Sequence, residues 1–332
     1  MMISLQSYVQ QGKSKLRQLA LNPEIHLSIR AAAYFLAGFV LSAASLYNHF
    51  LPLAMGLTCA CTGWSAALVA AGGSLGYFVF WGSAGQQGVV WVLAGLLIAL
   101  LFGERRISAQ LPLLFTALAG LVVSATGVIF QSWFSDTTPV GVYLIRVGFG
   151  AASAWLFRQV LRGRNPILDW MACCFGVLSL AQIAPFPWLS FGVVAAGALA
   201  VSGAFPAAAL AGLALDLAGL SPVSMTAAMC GSYLVRFLPR YPRWMGAAAP
   251  VCTYLLVAAV SGALDIMPLP ALLLGGIIGV FLPFPSGLPS RRGETVVAQV
   301  RLEMASLLAG CDGSRPFLHL SLYPIFPDFA RG

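Results

Sequence analysis

The charged residues of this chain leave long stretches without any charge, and this spacing limits the folds available to it. No charged residue lies between Arg30 and Glu104, or between Asp169 and Asp216. Of the 332 residues, 8% are charged and 59% are hydrophobic, whereas a soluble domain carries about 25% charged residues. Too few polar side chains are present to cover a water-soluble globule of this size. The sequence therefore predicts a polytopic membrane protein.

The apolar runs are continuous, which favours α-helices over a β-barrel. A membrane-crossing helix needs about 20 mostly apolar residues. Barrel strands alternate apolar and polar residues over about ten positions, a pattern that this sequence lacks. The predicted fold class is all-α: a bundle of about ten transmembrane helices, within a range of about ten to twelve, with both termini cytoplasmic.

Twelve apolar segments are predicted to cross or enter the membrane. Two uncharged pairs, 51–69 with 72–81 and 189–201 with 206–220, each fit equally well as one re-entrant or broken unit. Ten spans therefore satisfy the pattern as well as twelve. The segments cover residues 31–46, 51–69, 72–81, 89–102, 111–130, 140–157, 167–184, 189–201, 206–220, 222–238, 245–264 and 269–282.

Basic residues lie at the ends of alternate apolar runs, and they orient the bundle. Lys and Arg hold loops on the cytoplasmic side, and one orientation places every basic cluster there. It also places Asp136 and Asp265 outside. The net charge of +8 is interpreted as topogenic, so the expected partner is the lipid bilayer and not nucleic acid. The clusters are Lys13, Lys15 and Arg17; Arg105 and Arg106; Arg158, Arg162 and Arg164; Arg236, Arg240 and Arg243; and Arg291 and Arg292.

Three charged residues are the candidate intramembrane site residues: Asp216, Arg146 and Arg236. Asp216 lies among leucines in segment 206–220, and an intramembrane carboxylate is a functional candidate because it is costly to bury. It fits a proton or cation relay, a pair with Arg146 or Arg236, or a cap on the turn before Ser221 and Pro222. Arg146 fits either an acidic partner or a side chain that reaches the outer interface.

Small residues and cysteines in the apolar runs have packing interpretations. Gly72 with Gly76, and Gly275 with Gly279, have the small-xxx-small spacing that lets helices approach closely. Six of the seven cysteines lie inside apolar runs, where they behave as small hydrophobic residues. No phosphate-binding loop, dinucleotide fingerprint or paired acids are found, so no catalytic residue, cofactor-binding residue or metal ligand is predicted.

One part of the chain resembles a known family. The run from Phe205-Pro206 through Asp216 and Ser221-Pro222 to Arg236-Phe-Leu-Pro239, and the run Gly293-Glu294-Thr-Val-Val-Ala-Gln299-Val-Arg301-Leu-Glu303-Met304, are similar to the membrane region of stage II sporulation protein E of endospore-forming bacteria. From residue 31 onward the number and spacing of the spans are compatible with that family. The resemblance implies about ten spans, then a cytoplasmic regulatory helix and a metal-dependent protein serine/threonine phosphatase domain of the PP2C type.

The same resemblance implies a location and partners. The family's phosphatase dephosphorylates an anti-anti-sigma factor and so helps to activate a forespore sigma factor. Its membrane region places it at the polar division septum, where it meets the tubulin-like division protein. The bacterial plasma membrane is the expected location.

The chain departs from the family after Leu308. Cys311-Asp-Gly-Ser-Arg-Pro316 interrupts the expected helix, and no phosphatase sequence follows. The Mn²⁺ or Mg²⁺ that the phosphatase domain uses is therefore not expected here, and no catalytic residue carries over. The predicted organisation is a cytoplasmic segment (1–30), a transmembrane domain (31–283), the start of the regulatory helix (284–310) and an irregular tail (311–332). A truncated gene and a free-standing membrane module both fit.

The segment after the last span has an apolar stripe suited to a partner helix. Val297, Val300, Met304 and Leu307 are spaced three and four residues apart, as in the a and d positions of a heptad. They are predicted to contact a second copy, another protein or a missing domain. The leading hypothesis is a membrane anchor and localisation module without catalysis. The alternatives are a small-solute or ion transporter that uses Asp216, and a structural protein of the division or envelope machinery.

Overall fold

The computed structural model describes residues 23–46, 49–102, 112–133, 139–162, 166–202, 205–235, 243–263 and 265–281. The fold is all-α within these ranges, apart from two-residue strands. The N-terminal helices are α1 (Pro23–Ser42), α2 (Leu53–Ala60), α3 (Gly63–Trp81), α4 (Gln86–Phe102), α5 (Pro112–Trp133) and α6 (Val140–Leu161). The C-terminal helices are α7 (Pro166–Ala181), α8 (Phe191–Ser202), α9 (Phe205–Ala218), α10 (Met225–Leu234), α11 (Ala249–Ser261) and α12 (Leu269–Phe281).

The described residues between α1 and α2 include two short, paired strands and are largely buried. Strands β1 (Ser45–Leu46) and β2 (His49–Phe50) pair antiparallel, with Ser45 opposite Phe50 and Leu46 opposite His49. Leu51 follows, and α2 then has only eight residues, all of them buried. The extended strands therefore precede the second apolar segment, 51–69, which is helical on both sides of a break at Cys61 and Thr62.

The predicted boundary between segments 51–69 and 72–81 is wrong. The helix break falls at Cys61 and Thr62, and α3 runs without interruption through Gly72, Gly73 and Gly76 to Trp81. Gly63 begins α3 with a φ of 55°, a left-handed conformation that glycine adopts at little cost. The helix therefore breaks just before Gly63. The glycines farther along α3 remain helical, and their lack of a side chain lets neighbouring helices pack closely.

The packing prediction for both glycine pairs is confirmed. A Cβ atom at Gly72 or Gly76 would collide with backbone carbonyls of α1, at Phe35 and Phe39 respectively. A Cβ atom at Gly275 or Gly279 would collide in the same way with carbonyls of α8. In both places, backbone approaches backbone as in small-xxx-small helix contacts.

Two helical stretches are long and apolar enough to cross a membrane: Gly63–Phe102 and Val140–Leu161. The first stretch is a hairpin of α3 and α4, since a 3-10 turn at Gly82–Gly85 separates them. A Cβ atom at Gly88 would meet the ring of Tyr77, and one at Gly73 would meet Val92. These contacts show that the two helices are antiparallel. The apolar stretches of seven other helices, such as 27–42 and 116–132, are shorter, between 10 and 17 residues.

The helix directions follow from such contacts. Helix α2 runs parallel to α6, because Phe50 lies against Arg146 and Gly56 against Ser153. Helix α3 is antiparallel to α2, since Tyr77 contacts Leu51. Glycine contacts give three further directions. Helix α1 is parallel to α3, α5 is antiparallel to α6, and α7 is antiparallel to α8.

The predicted cytoplasmic segments at the two ends are described only in part. Helix α1 begins at Pro23, inside the predicted N-terminal segment 1–30. Residues 284–310 and 311–332, with Val297, Val300, Met304 and Leu307, lie outside the described residues.

Candidate functional site

The best-defined polar site of the described residues surrounds Arg146 on α6. Its side chain turns into the protein, where only 2% of its surface is exposed. Nε donates to the carbonyl oxygen of Phe50 at 3.2 Å, and one terminal nitrogen donates to Oε1 of Gln87, also at 3.2 Å. Arg146 therefore does not reach outward to an interface, one of the two alternatives that the sequence left open.

Aromatic rings line this site. The guanidinium carbon of Arg146 lies 4.4 Å from the centre of the Phe50 ring and 5.6 Å from that of Trp91, within the range of a cation–π interaction. The Phe50 ring also packs against Tyr77 and Trp81, with ring centres 5.9 and 5.5 Å apart. The charge thus lies between faces of rings whose quadrupoles attract it.

The same site satisfies the backbone of the extended segment. Tyr77 donates its hydroxyl to the carbonyl of Leu51 at 2.6 Å, and Trp81 donates its indole N–H to the carbonyl of Ser42 at 3.0 Å. Arg146 likewise donates to the carbonyl of Phe50. Three side chains therefore donate hydrogen bonds to carbonyl oxygens that have no partner in a helix or sheet. A buried carbonyl without a donor is unfavourable, so these bonds stabilise the non-helical connection between α1 and α2.

Gln87 is the site residue that sequence reasoning missed. It is 2% exposed, in the first turn of α4, and its Nε2 atom is buried without a hydrogen-bond acceptor among the described residues. The available signal was Gln86-Gln87, one of the few polar pairs in the uncharged stretch between Arg30 and Glu104. Nearby, Trp91 donates to Thr126 Oγ1 on α5 at 2.6 Å, which joins α4 to the next helix.

Asp216 lies at a second polar site, near the C-terminal end of α9. Its Oδ1 accepts the backbone N–H of Met225 at 2.6 Å. Its Oδ2 accepts the Thr226 backbone N–H and hydroxyl, at 3.1 and 2.6 Å, and the Ser224 hydroxyl at 3.1 Å. Ser224 is the N-cap of α10, so the carboxylate binds the first turn of the next helix.

This geometry favours the capping interpretation of Asp216. A helix N-terminus carries unsatisfied N–H groups and a partial positive charge, and both stabilise a carboxylate. The prediction placed the cap before Ser221-Pro222, and the structure places it just after, at residues 224–226.

Arg146 and Asp216 make their hydrogen bonds in different parts of the described fold. The contacts of Arg146 lie on the β2 strand and α4, and those of Asp216 lie at the start of α10. Arg236 lies outside the described residues, so the proposed pair of Asp216 with Arg236 stays a prediction.

The described ranges contain no cluster of side chains suited to metal binding and no paired cysteines. No group of three or more His, Cys, Asp or Glu residues there is placed to hold a metal ion. The six cysteines of these ranges are unpaired, and Cys59, at 0% exposure, donates its thiol to the carbonyl of Gly95 at 3.7 Å. Cys59 and Cys61 are buried and pack as small residues, whereas Cys173 and Cys252 are exposed.

The fold and its two polar sites define the chain as an all-α protein with a buried arginine and a capped carboxylate. No known family, no curated protein and no solved structure matches it.

Proposed function

We propose that this chain is a multi-pass domain of a bacterial plasma membrane. The carrying observation is the apolar outer surface of the helices, which surround a core that is also largely apolar. Large apolar side chains face outward on helix after helix, while Arg146 and Gln87 are buried. The outward residues include Leu100 at 62% exposure, Leu121 at 63%, Leu144 at 67%, Leu256 at 65%, Val260 at 83% and Phe281 at 79%.

Such a surface suits lipid better than water. Soluble monomers rarely expose contiguous apolar patches larger than a few hundred Å², and hydrocarbon requires every backbone polar group to be satisfied internally. Helices meet that requirement. In the extended segment, Arg146, Tyr77 and Trp81 supply the missing donors.

The membrane proposal is tested by fractionation and topology mapping. The chain is expected to stay in the membrane pellet after carbonate extraction and to need detergent for release. Alkaline phosphatase fusions near Asp136 and Asp265 are expected to be active, and fusions at the Arg105 and Arg162 clusters inactive, because every basic cluster is cytoplasmic. Recovery in the soluble fraction contradicts the proposal.

Within that membrane domain, we propose the role of anchor and localisation module, as in the sporulation phosphatase family. The support is the resemblance of residues 205–239 and 293–304. The proposed partners are lipid, a second copy through residues 297–307, and the tubulin-like division protein.

A localisation experiment separates this role from a structural one. In an endospore-forming host, a fluorescent fusion of the chain is expected to concentrate at the polar septum during sporulation. The purified chain with Mn²⁺ is expected to show no hydrolysis of a phosphoserine protein. Uniform membrane fluorescence contradicts the anchor role, and clear hydrolysis contradicts the absence of catalysis.

A second candidate function is small-solute or ion transport. The observation that favours it is the interrupted segment of 43–60, because transporters often place irregular backbone beside a central site. The contacts of Asp216 argue against a relay at that residue, since its oxygens already hold the start of α10. A substrate flux abolished by Asp216→Asn, in protein of unchanged stability, contradicts the capping role.

A further inference from the structure

Two pairs of helices in this chain make the same contacts at equivalent residues. In the first pair, α1 packs on α3. In the second pair, α8 packs on α12. Both contacts are made by glycines whose absent side chains let the backbones meet.

The equivalence holds residue by residue. An added Cβ at Gly72 meets the carbonyl of Phe35, and one at Gly275 meets that of Val194. One helical turn later, a Cβ added at Gly76 would meet the carbonyl of Phe39 and the side chain of Ser42.

The same turn of the second pair repeats this contact. A Cβ added at Gly279 would meet the carbonyl of Ala198 and the side chain of Val201. Residues 194, 198 and 201 have the same mutual spacing as residues 35, 39 and 42.

The reciprocal contact is also repeated. A Cβ added at Gly38 of α1 would meet the carbonyl of Val69. A Cβ added at Gly197 of α8 would meet the carbonyl of Leu272. Val69 precedes Gly72 by three residues, and Leu272 precedes Gly275 by three. The carbonyl contacts of Gly38, Gly72 and Gly76 in the first interface therefore have counterparts at Gly197, Gly275 and Gly279 in the second.

The sequences of the two pairs agree at these positions. Gly-Gly-x-x-Gly-x-Phe occurs at residues 72–78 and again at 275–281. Ala-Gly occurs at Ala37-Gly38 and at Ala196-Gly197. One helix, α2, connects the members of the first pair, and three helices, α9 to α11, connect those of the second. An odd number in each case leaves both members parallel.

The two pairs run in opposite directions. Helix α1 is parallel to α3, and both are antiparallel to α6. Helix α7 folds back on α6, since Phe175 packs against both Phe149 and Phe157, with ring centres 5.8 and 6.1 Å apart. Helix α8 then turns back on α7, where a Cβ at Gly192 would meet the backbone of Ala181. Helices α8 and α12 therefore run opposite to α1 and α3.

We propose that α1 with α3 and α8 with α12 are the equivalent rigid cores of an inverted repeat. Inverted repeats relate two halves of a membrane protein by a pseudo-two-fold axis in the membrane plane. Close backbone contacts hold the two helices of each pair together. The orientation part of the proposal rests on the membrane embedding proposed above; the packing part does not.

The packing part is tested in detergent by glycine-to-alanine substitutions. Gly72→Ala, Gly76→Ala, Gly275→Ala and Gly279→Ala each add a methyl group that meets a backbone carbonyl. Each is expected to lower the midpoint of thermal unfolding, with similar shifts at equivalent positions. Gly148→Ala and Gly176→Ala are the controls, since an added Cβ there has no neighbour within 4 Å. They are expected to leave or raise the midpoint, because alanine favours a helix.

Large shifts at 72 and 76 with none at 275 and 279 overturn the equivalence. So does a loss at the control positions equal to the loss at the contacts, because the effect then does not come from the interfaces.

The orientation part is tested by sidedness of labelling. Single cysteines replace Ser83, Met267, Trp64 and Phe281 in a chain whose native cysteines are replaced. Ser83 follows α3 and Met267 precedes α12, so both are expected to react with an impermeant maleimide in right-side-out vesicles. Trp64 and Phe281 lie at the opposite ends of the same helices, and labelling there is expected only after permeabilisation.

The outcomes separate the two proposals. Labelling of 83 together with 281, and of 64 together with 267, shows that both pairs have the same orientation and overturns the inverted repeat. Equal labelling of all four residues without permeabilisation shows no membrane barrier. That result removes the membrane proposal and the inversion with it, and the alanine series still decides the equivalence.

Discussion

Asp216 binds the start of α10 through four hydrogen bonds, and this arrangement determines what its replacement costs. Its oxygens accept from Met225, Thr226 and Ser224. Alanine leaves the first-turn N–H groups without an acceptor. We expect Asp216→Ala to lower the free energy of unfolding by about 2 kcal/mol, and Asp216→Asn by about half of that, because asparagine keeps one acceptor oxygen.

The measurement is thermal or denaturant unfolding in detergent. Asp169→Ala is the control, since Asp169 lies in the first turn of α7 and loses only the interaction with the helix dipole, about 0.5 kcal/mol. Equal effects of the two alanine variants argue against a specific cap at Asp216.

Arg146 carries the second residue-scale prediction. Methionine keeps the length and apolar volume of the stem and removes the donors to Phe50 and Gln87. We expect Arg146→Met to cost about 3 kcal/mol, because buried acceptors then lack partners. Arg162→Met is the matched control, since Arg162 is exposed at the end of α6 and contributes less than about 1 kcal/mol.

Unfolding in detergent measures both arginine variants. A loss for Arg146→Met no larger than that for Arg162→Met contradicts a structural role of the buried guanidinium.

At the scale of elements, the extended segment between α1 and α2 depends on donors from other helices. Tyr77→Phe removes the hydroxyl that serves the carbonyl of Leu51 and changes little else in volume. We expect a loss of about 1–2 kcal/mol. Tyr34→Phe is the control on α1, because Tyr34 packs on the core without serving this segment. A Tyr77→Phe variant as stable as Tyr34→Phe shows that the carbonyl finds another donor.

The sequence predicted element type well and element boundaries less well. Uncharged runs predicted helices, and the Gly72 and Gly275 spacings predicted close packing. The break at Cys61–Gly63 was misplaced because segment 51–81 is apolar on every side, so hydrophobic periodicity carries no boundary information there.

The two polar sites show a second limit of the sequence. Arg146 and Gln87 are 59 residues apart, and no local pattern relates them. The Asp216 cap was one of several alternatives because nothing in the sequence shows that the start of α10 returns to the end of α9.

At the scale of the whole molecule, the described helices differ in length between the two halves. Helices α5 and α6 have 22 residues each, whereas α8 to α12 have between 10 and 14. At 1.5 Å per residue, the longer helices extend about 33 Å and the shorter ones at most about 21 Å. The hydrocarbon core of a typical bilayer is about 30 Å thick.

On the membrane embedding proposed above, these helix lengths predict a preference among membranes. Helix α11, whose 13 residues have described neighbours at both ends, extends about 20 Å and is shorter than a bilayer matched to α5 and α6, so lipid beside α11 is expected to thin locally. We expect the unfolding midpoint in liposomes to be higher with short-chain phosphatidylcholine, such as 14:1, than with 20:1 chains. We therefore expect helix length by itself to favour the localisation of the protein in membrane that is thin or easily deformed.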